Sequence, residues 1–198
     1  MPRPNAAMIA LLLALAASTP SRAVAQTYQV DPAHTSVVFS VSHMGFSFTY
    51  GMFDKAEGAV TLSDDPKECS FAMTIEVGSI DTGNADRDKH LLNPDFFHAE
   101  KNPQITFKSE SVTIGSDDEG RTLYEATGPM TMCGVTNKVT LPIALVGQGS
   151  DPWGGERVGF VCQTVVDRTS FGMTGGVDAI GKEVSVVVSF EALPPKSE

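Results

Sequence analysis

The chain has 198 residues, and 24 acidic side chains against 14 Lys and Arg leave a net charge of −10. A surface of that sign repels phosphate backbones and anionic headgroups, and the basic patch that nucleic-acid binding needs is missing, so that class of function is excluded. A hydrophobic content of 41% is enough to bury the core of one domain.

The N-terminus reads as an export leader. Arg3 lies in a basic lead, residues 6–17 are an unbroken run of apolar or small side chains, and Ala23-Val24-Ala25 forms an A-x-A cleavage site before Gln26. The run is far short of the ~20 residues that a membrane-spanning helix needs. Residues 1–25 are therefore expected to be a signal peptide cleaved after Ala25, and residues 26–198 a single mature domain.

Beyond the leader, alternation with a period of two dominates, the mark of half-buried strands. His34–His43 puts Val37, Phe39, Val41 and His43 on one face. Tyr50–Leu62 follows, with Gly51 and Gly58 suited to a bend or bulge. Ser70–Val77 sends Phe71, Met73, Ile75 and Val77 to one side. Helical spacing is confined to Asn84–Leu92, after which Pro94 halts it and the adjacent Phe96 and Phe97 follow. Gln104–Ile114 offers Ile105 and Phe107, Leu123–Met132 aligns Tyr124 through Met132, and Lys138–Val146 aligns Val139 through Leu145. Arg157–Asp167 and Lys182–Leu193 complete eight expected strands. Short acidic turns such as Gly115–Gly120 favour antiparallel neighbours, because parallel ones need long crossovers. Eight antiparallel strands make either a closed barrel or a two-sheet sandwich, and periodicity leaves both open. In a closed barrel of that size the interior is filled by side chains or holds one small ligand. The inner faces here carry Phe, Met, Val and Ile, which suits something long and oily.

No pattern announces catalysis or a metal. The four histidines lack zinc-type spacing, and no G-x-S-x-G or dinucleotide fingerprint is present. Neither catalytic residues, metal ligands nor a cofactor are expected. Cys69, Cys133 and Cys162 contain no C-x-x-C pair, and an odd count permits at most one internal bridge. Alternation puts Cys69 and Cys162 inward and Cys133 outward on a strand.

Taken in order, Asp31–Ser47, Tyr50–Phe53, Ser79–Phe97, Asn102–Ser109, Gly128–Ile143 and Val166–Met173 resemble the YceI-like family across the mature chain. The resemblance implies an all-β, eight-stranded antiparallel lipocalin-like barrel with a short helical segment at one end, located in the periplasm. It also implies an apolar tunnel that binds or carries a polyisoprenoid or similar amphiphile, such as an isoprenoid quinone, without enzymatic activity. A b561-type cytochrome is the redox partner it suggests; whether the protein is a monomer or a dimer is left open. On that frame the chain of the ligand is expected along Phe39, Val41, Phe53, Ile75, Phe96, Phe97, Phe107 and Leu141, and its headgroup near His43, Tyr50 and Arg168. Two rivals stand beside it. One is a stress-related interaction protein whose barrel is packed solid; the other is an enzyme on a lipid substrate acting through Asp86, Asp88 and His90.

Overall fold

A computed structural model describes residues 24–195. The expected leader, residues 1–25, lies outside the described residues except for its last two positions. Strands β1 (Gln26–His43), β2 (Ser47–Phe53), β3 (Ala56–Leu62), β4 (Ser70–Glu76) and β5 (Ile80–Asp81) precede helix α1 (Ala85–Leu91). Strands β6 (Gln104–Lys108), β7 (Ser111–Ser116), β8 (Thr122–Met132), β9 (Val135–Ser150), β10 (Glu156–Asp167) and β11 (Ile180–Leu193) follow. All pairings are antiparallel, in the order β1-β3-β4-β6-β8-β9-β10-β11, and β11 returns to pair with β1. Val37, Phe39 and Val41 face Val188, Val186 and Val184 across that last seam. The sheet is therefore a closed eight-membered barrel, and the sandwich alternative falls.

Eleven strand segments arise where eight were expected because two of the runs break and the two-residue β5 is added. Tyr50–Leu62 divides at Asp54 because β1 changes partner along its length. Its second half pairs with β2 and its first half with β3. Gln104–Ile114 divides at Ser109, whose buried side chain stands in for a rung of the ladder. Ser109 N–H donates to the Phe71 carbonyl and Ser109 Oγ accepts from Phe71 N–H, both at 2.9 Å. The crossing at this break needs glycine at position 128, where a Cβ would lie 2.1 Å from the Lys108 carbonyl oxygen. β1 also starts eight residues earlier than the alternation suggested. Asp31-Pro32 reads as a stop, yet it sits in a register shift between Val30 and Thr35, where a missing N–H costs no ladder bond.

The two barrel ends differ. One is plugged by aromatic rings. Phe160 stacks on Phe190 at 5.2 Å and meets Phe71 edge-on at 5.6 Å, and Tyr124 lies 5.3 Å from Phe71. Over this end Arg157 donates to Asp31, Asp151 and Glu191, tying β1, the β9–β10 loop and β11 together.

At the other end the chain crosses the barrel twice. Asn84 caps α1 by accepting from Arg87 N–H, and Arg87 and Asp88 both bind Thr82. The second crossing, residues 168–180, is held by Arg168, which is 3% exposed. Its guanidinium donates to the carbonyls of Met173, Gly175, Ile180 and Gly181 at 2.8–3.0 Å. Burial lowers its pKa, and the neighbouring Asp167 opposes that shift.

Two stability predictions follow from these anchors. Arg168→Met removes the donor from four carbonyls and should cost about 3 kcal/mol in denaturant unfolding. Arg168→Lys should recover only part of the loss, since an ammonium cannot reproduce the fork; an unchanged midpoint in Arg168→Met would remove Arg168 from this role. At the plugged end, the hydrogen bond to His34 holds the Asp31 carboxyl below the ordinary 3.8, and Arg157 does the same for Asp151. Carboxyls with depressed values stabilise the fold above 3.8, and that contribution is lost as pH falls through their lower folded values. The unfolding temperature should drop over that acidic window and drop less steeply in Asp31→Asn, as followed by circular dichroism.

Candidate functional site

The barrel interior is not filled. A cavity of about 830 Å³ runs from the aromatic floor toward the end crossed by the helix. Val37, Val60, Phe71 and Phe190, the residues around its floor, are all at most 5% exposed. Higher up, Val41, Met73, Ile75, Ile105, Leu141 and Val186 point inward yet are only half-buried. Apolar side chains on the inside of a barrel stay accessible only when they face open space instead of one another.

Polarity changes along the axis. The exposed members of the lining are His43, Ser47, Arg87, His90, Asp95 and Gly176, and all lie at the helix end, which is therefore the mouth. The walls below it carry no ionisable group other than the thiol of Cys162, which burial pushes up to about 12. At such a value the thiol behaves as a small hydrophobe.

Aromatic contacts shape the wall beneath the mouth. Gly51 lets β2 lie against the Phe39 ring, since a Cβ there would fall 2.4 Å from Phe39 Cζ. Phe39 meets Phe53 at 5.6 Å, and Phe53 meets Phe97 edge-on at 5.8 Å. Phe96 packs edge-on against His90 at 5.0 Å. The adjacent phenylalanines after α1 are both buried and both line the cavity, held by backbone bonds from Phe96 N–H to Asn93 and from Phe97 N–H to Leu91. The Asp95 carbonyl accepts from Gly175 N–H, joining the two crossing segments to each other.

The structure brings Phe39, Val41, Phe53, Ile75, Phe96, Phe97, Phe107 and Leu141 onto one continuous wall. His43 stands at the mouth. Arg168 reaches the lining too, but four of its N–H groups are committed to carbonyls, so it anchors the mouth as a scaffold. Tyr50 is a correction: it is 64% exposed on the outer surface and does not line the cavity. Tyr50 and Phe53 are an odd number of residues apart on one strand, so they point to opposite faces. Ser47 and Thr49 hold the inward positions instead. Alternation counted back from Phe53 would have found them.

Other expectations also change. Cys133 is not on a strand but in the β8–β9 turn, with φ of 53°, and its thiol donates to the Phe96 carbonyl. Cys69, Cys133 and Cys162 are all free thiols. Asp88, one of the groups considered for acid–base chemistry, is occupied by the Thr82 N–H and hydroxyl. At the plugged end Asp31, His34 and Glu191 bring potential ligand atoms within 4.8 Å of one another, but Arg157 bonds both carboxylates and supplies the balancing charge. The packed-barrel rival does not describe this interior.

Comparison with known proteins agrees with this geometry. The YceI-like domain model matches residues 28–192. Protein YceI of Escherichia coli is 38% identical over 177 residues, 88% of this chain and 90% of its own length. The crystal structure of Burkholderia cenocepacia BcnA superposes with a TM-score of 0.70 at 26% identity, over 82% of this chain and 99% of that one. A polyisoprenoid binding domain from Saccharophagus degradans has the same fold, with a TM-score of 0.63 at 15% identity over 85% of this chain and 98% of its own. By sequence and by fold, the chain belongs to the YceI-like family.

Proposed function

We propose that the protein is a periplasmic carrier that shields a polyisoprenoid or a similar amphiphile, an isoprenoid quinone included, inside its barrel. The observation that carries this reading is the unfilled cavity of about 830 Å³, apolar along its walls, sealed by rings at one end and polar at the other. That asymmetry suits a ligand that enters tail first and leaves its headgroup beside His43, Arg87 and His90. The name of the Saccharophagus degradans domain, which shares this fold, supports the same class of ligand. A b561-type cytochrome as redox partner belongs to the same proposal, as does the absence of catalysis.

The size and energy are adequate. If a methylene takes about the room of a water molecule, ~30 Å³, the cavity holds on the order of twenty-five carbons, roughly five isoprene units. At about four methylene equivalents per isoprene unit and ~0.8 kcal/mol each, five units contribute about 16 kcal/mol gross. Taking about 8 kcal/mol for association leaves roughly micromolar affinity with no polar contact at all. The headgroup then selects among lipids more than it sets their affinity.

Two measurements test the reading. Purification without detergent, followed by mass spectrometry, should find a stoichiometric prenyl lipid, and stripped protein should take up added prenylquinone. Finding neither sinks the carrier. Leu141→Trp projects an indole into the cavity beside the small Ala126. It should reduce prenylquinone affinity at least about tenfold while leaving the unfolding midpoint nearly unchanged, because it fills space instead of overpacking a core, which costs ~1–3 kcal/mol. A large stability loss with normal uptake would mean that the interior is packed after all.

A further inference from the structure

The β1–β2 hairpin carries the largest run of exposed apolar side chains on the barrel. Phe46 is 86% exposed, Phe48 and Tyr50 are each 64% exposed, and Met44 is 57% exposed. No Asp, Glu, Lys or Arg occurs from Thr35 to Phe53, in a chain whose net charge is −10. The turn chemistry is also unusual. Met44 and Gly45 have φ of 52° and 73°, the left-handed pair of a type I′ turn, whose first position favours Asn, Asp or Gly. A methionine there accepts backbone strain, and its exposed side chain gains little packing in return. In the β8–β9 turn, Cys133 holds the same conformation but is half-buried and bonded to Phe96.

The two faces of this hairpin do different things. Inward, His43, Ser47 and Thr49 form part of the cavity mouth. Outward and at the tip, Met44, Phe46, Phe48 and Tyr50 are largely exposed to solvent, so an apolar surface adjoins the opening of an apolar cavity. We infer that this hairpin docks the mouth onto a lipid bilayer, so that cargo passes between membrane and barrel without crossing water. The inference rests on the carrier reading above. The bilayer is favoured over a second copy of the chain because the exposed rings adjoin the mouth through which a cargo must pass, beside His43, Ser47 and Thr49. Charge points the same way: an acidic protein can approach anionic headgroups only through a surface with no carboxylates, and this hairpin is such a surface. Successive outward residues are roughly 7 Å apart along the strand, so Phe46 and Phe48 enter the acyl boundary while Tyr50 remains at headgroup level, where its hydroxyl stays wet. Among the described residues no helix is long and apolar enough to cross a membrane. Attachment through this hairpin is peripheral and depends little on salt.

The test uses vesicles of phosphatidylcholine alone and of phosphatidylethanolamine with phosphatidylglycerol. Wild-type protein should co-sediment with both, and Phe46→Ser/Phe48→Ser should lose roughly tenfold in affinity per ring removed while keeping its unfolding temperature. Phe46→Trp in a Trp153→Phe background should be quenched by brominated lipid. In the wild type the single tryptophan, Trp153, lies on the β9–β10 loop at the plugged end and should not be quenched. Absence of sedimentation by the wild type, or equal quenching at the two ends, overturns the inference. So does a wild-type dimer that the double serine variant abolishes while vesicles bind neither protein, which would assign the face to a second copy. Equilibrium uptake of farnesol, which needs no membrane, separates the two readings. Vesicle association with no farnesol uptake rejects the carrier and keeps the docking, and the reverse rejects the docking alone.

Discussion

The seam between β1 and β11 is the constraint on which the rest depends. Until Val37, Phe39 and Val41 pair with Val188, Val186 and Val184, the sheet has two free edges and its inner face has no inside. Once the seam forms, the edges of the ring vanish and every second residue of eight strands faces a common axis. At this strand number the residues meeting on that axis can either interlock or leave a hollow. Here they interlock only near the floor, where Phe71, Phe160 and Phe190 supply enough ring volume to close it. Above the floor most inward residues are Val, Ile, Leu and Met, too short to meet across the diameter, and Phe39, Phe53 and Phe97 pack against one another along one wall.

Closure at one end and crossing segments at the other give the hollow a direction. The plugged end is held by a charge network centred on Arg157, which costs little because its partners remain close to water. The mouth is held by Arg168 through carbonyls, an arrangement that needs no carboxylate near the opening. Anchoring the mouth in this way leaves His43, Arg87 and His90 as its exposed basic side chains, beside the acidic Asp95. A hydrocarbon entering from this side meets hydrogen-bonding groups first and hydrocarbon afterwards, the order in which an amphiphile is built.

Much of this was legible in the sequence, because alternation is a local property. The inward sets around Val37, Phe71, Phe107, Met130 and Val186 could be read directly, and so could the helical turn capped by Asn84. Non-local facts were not legible. The break at Ser109 depends on a hydrogen bond to Phe71, 38 residues away. Passage of β1 through Asp31-Pro32 depends on a bulge in β1 itself, which sets residues 31–34 against Glu191 alone on β11. Barrel closure itself is a pairing between the two ends of the domain, which periodicity cannot report. Tyr50 was misplaced for another reason: its chemistry suggested a headgroup contact, whereas its parity with Phe53 puts it on the outer face. Where chemistry and parity disagree within a strand, parity is fixed by the backbone and prevails.

The hollow also restricts its own contents. At roughly 24 cal/mol per Å³, a sealed dry void of this size would cost on the order of 20 kcal/mol, more than the ~5–15 kcal/mol by which a domain is usually stable. The barrel therefore cannot hold 830 Å³ of sealed vacuum. Either water occupies the space through the mouth, or a molecule does. Water fares poorly there, since each buried molecule needs two to four polar partners, and the walls beneath the mouth offer mostly hydrocarbon, with the Cys162 thiol and the Thr164 hydroxyl. A flexible apolar chain is the occupant that meets the walls on their own terms. By binding only the folded state it also returns stability that the unfilled barrel lacks. On the proposed carrier reading, cavity, floor and polar mouth thus form a fold that is most stable when loaded.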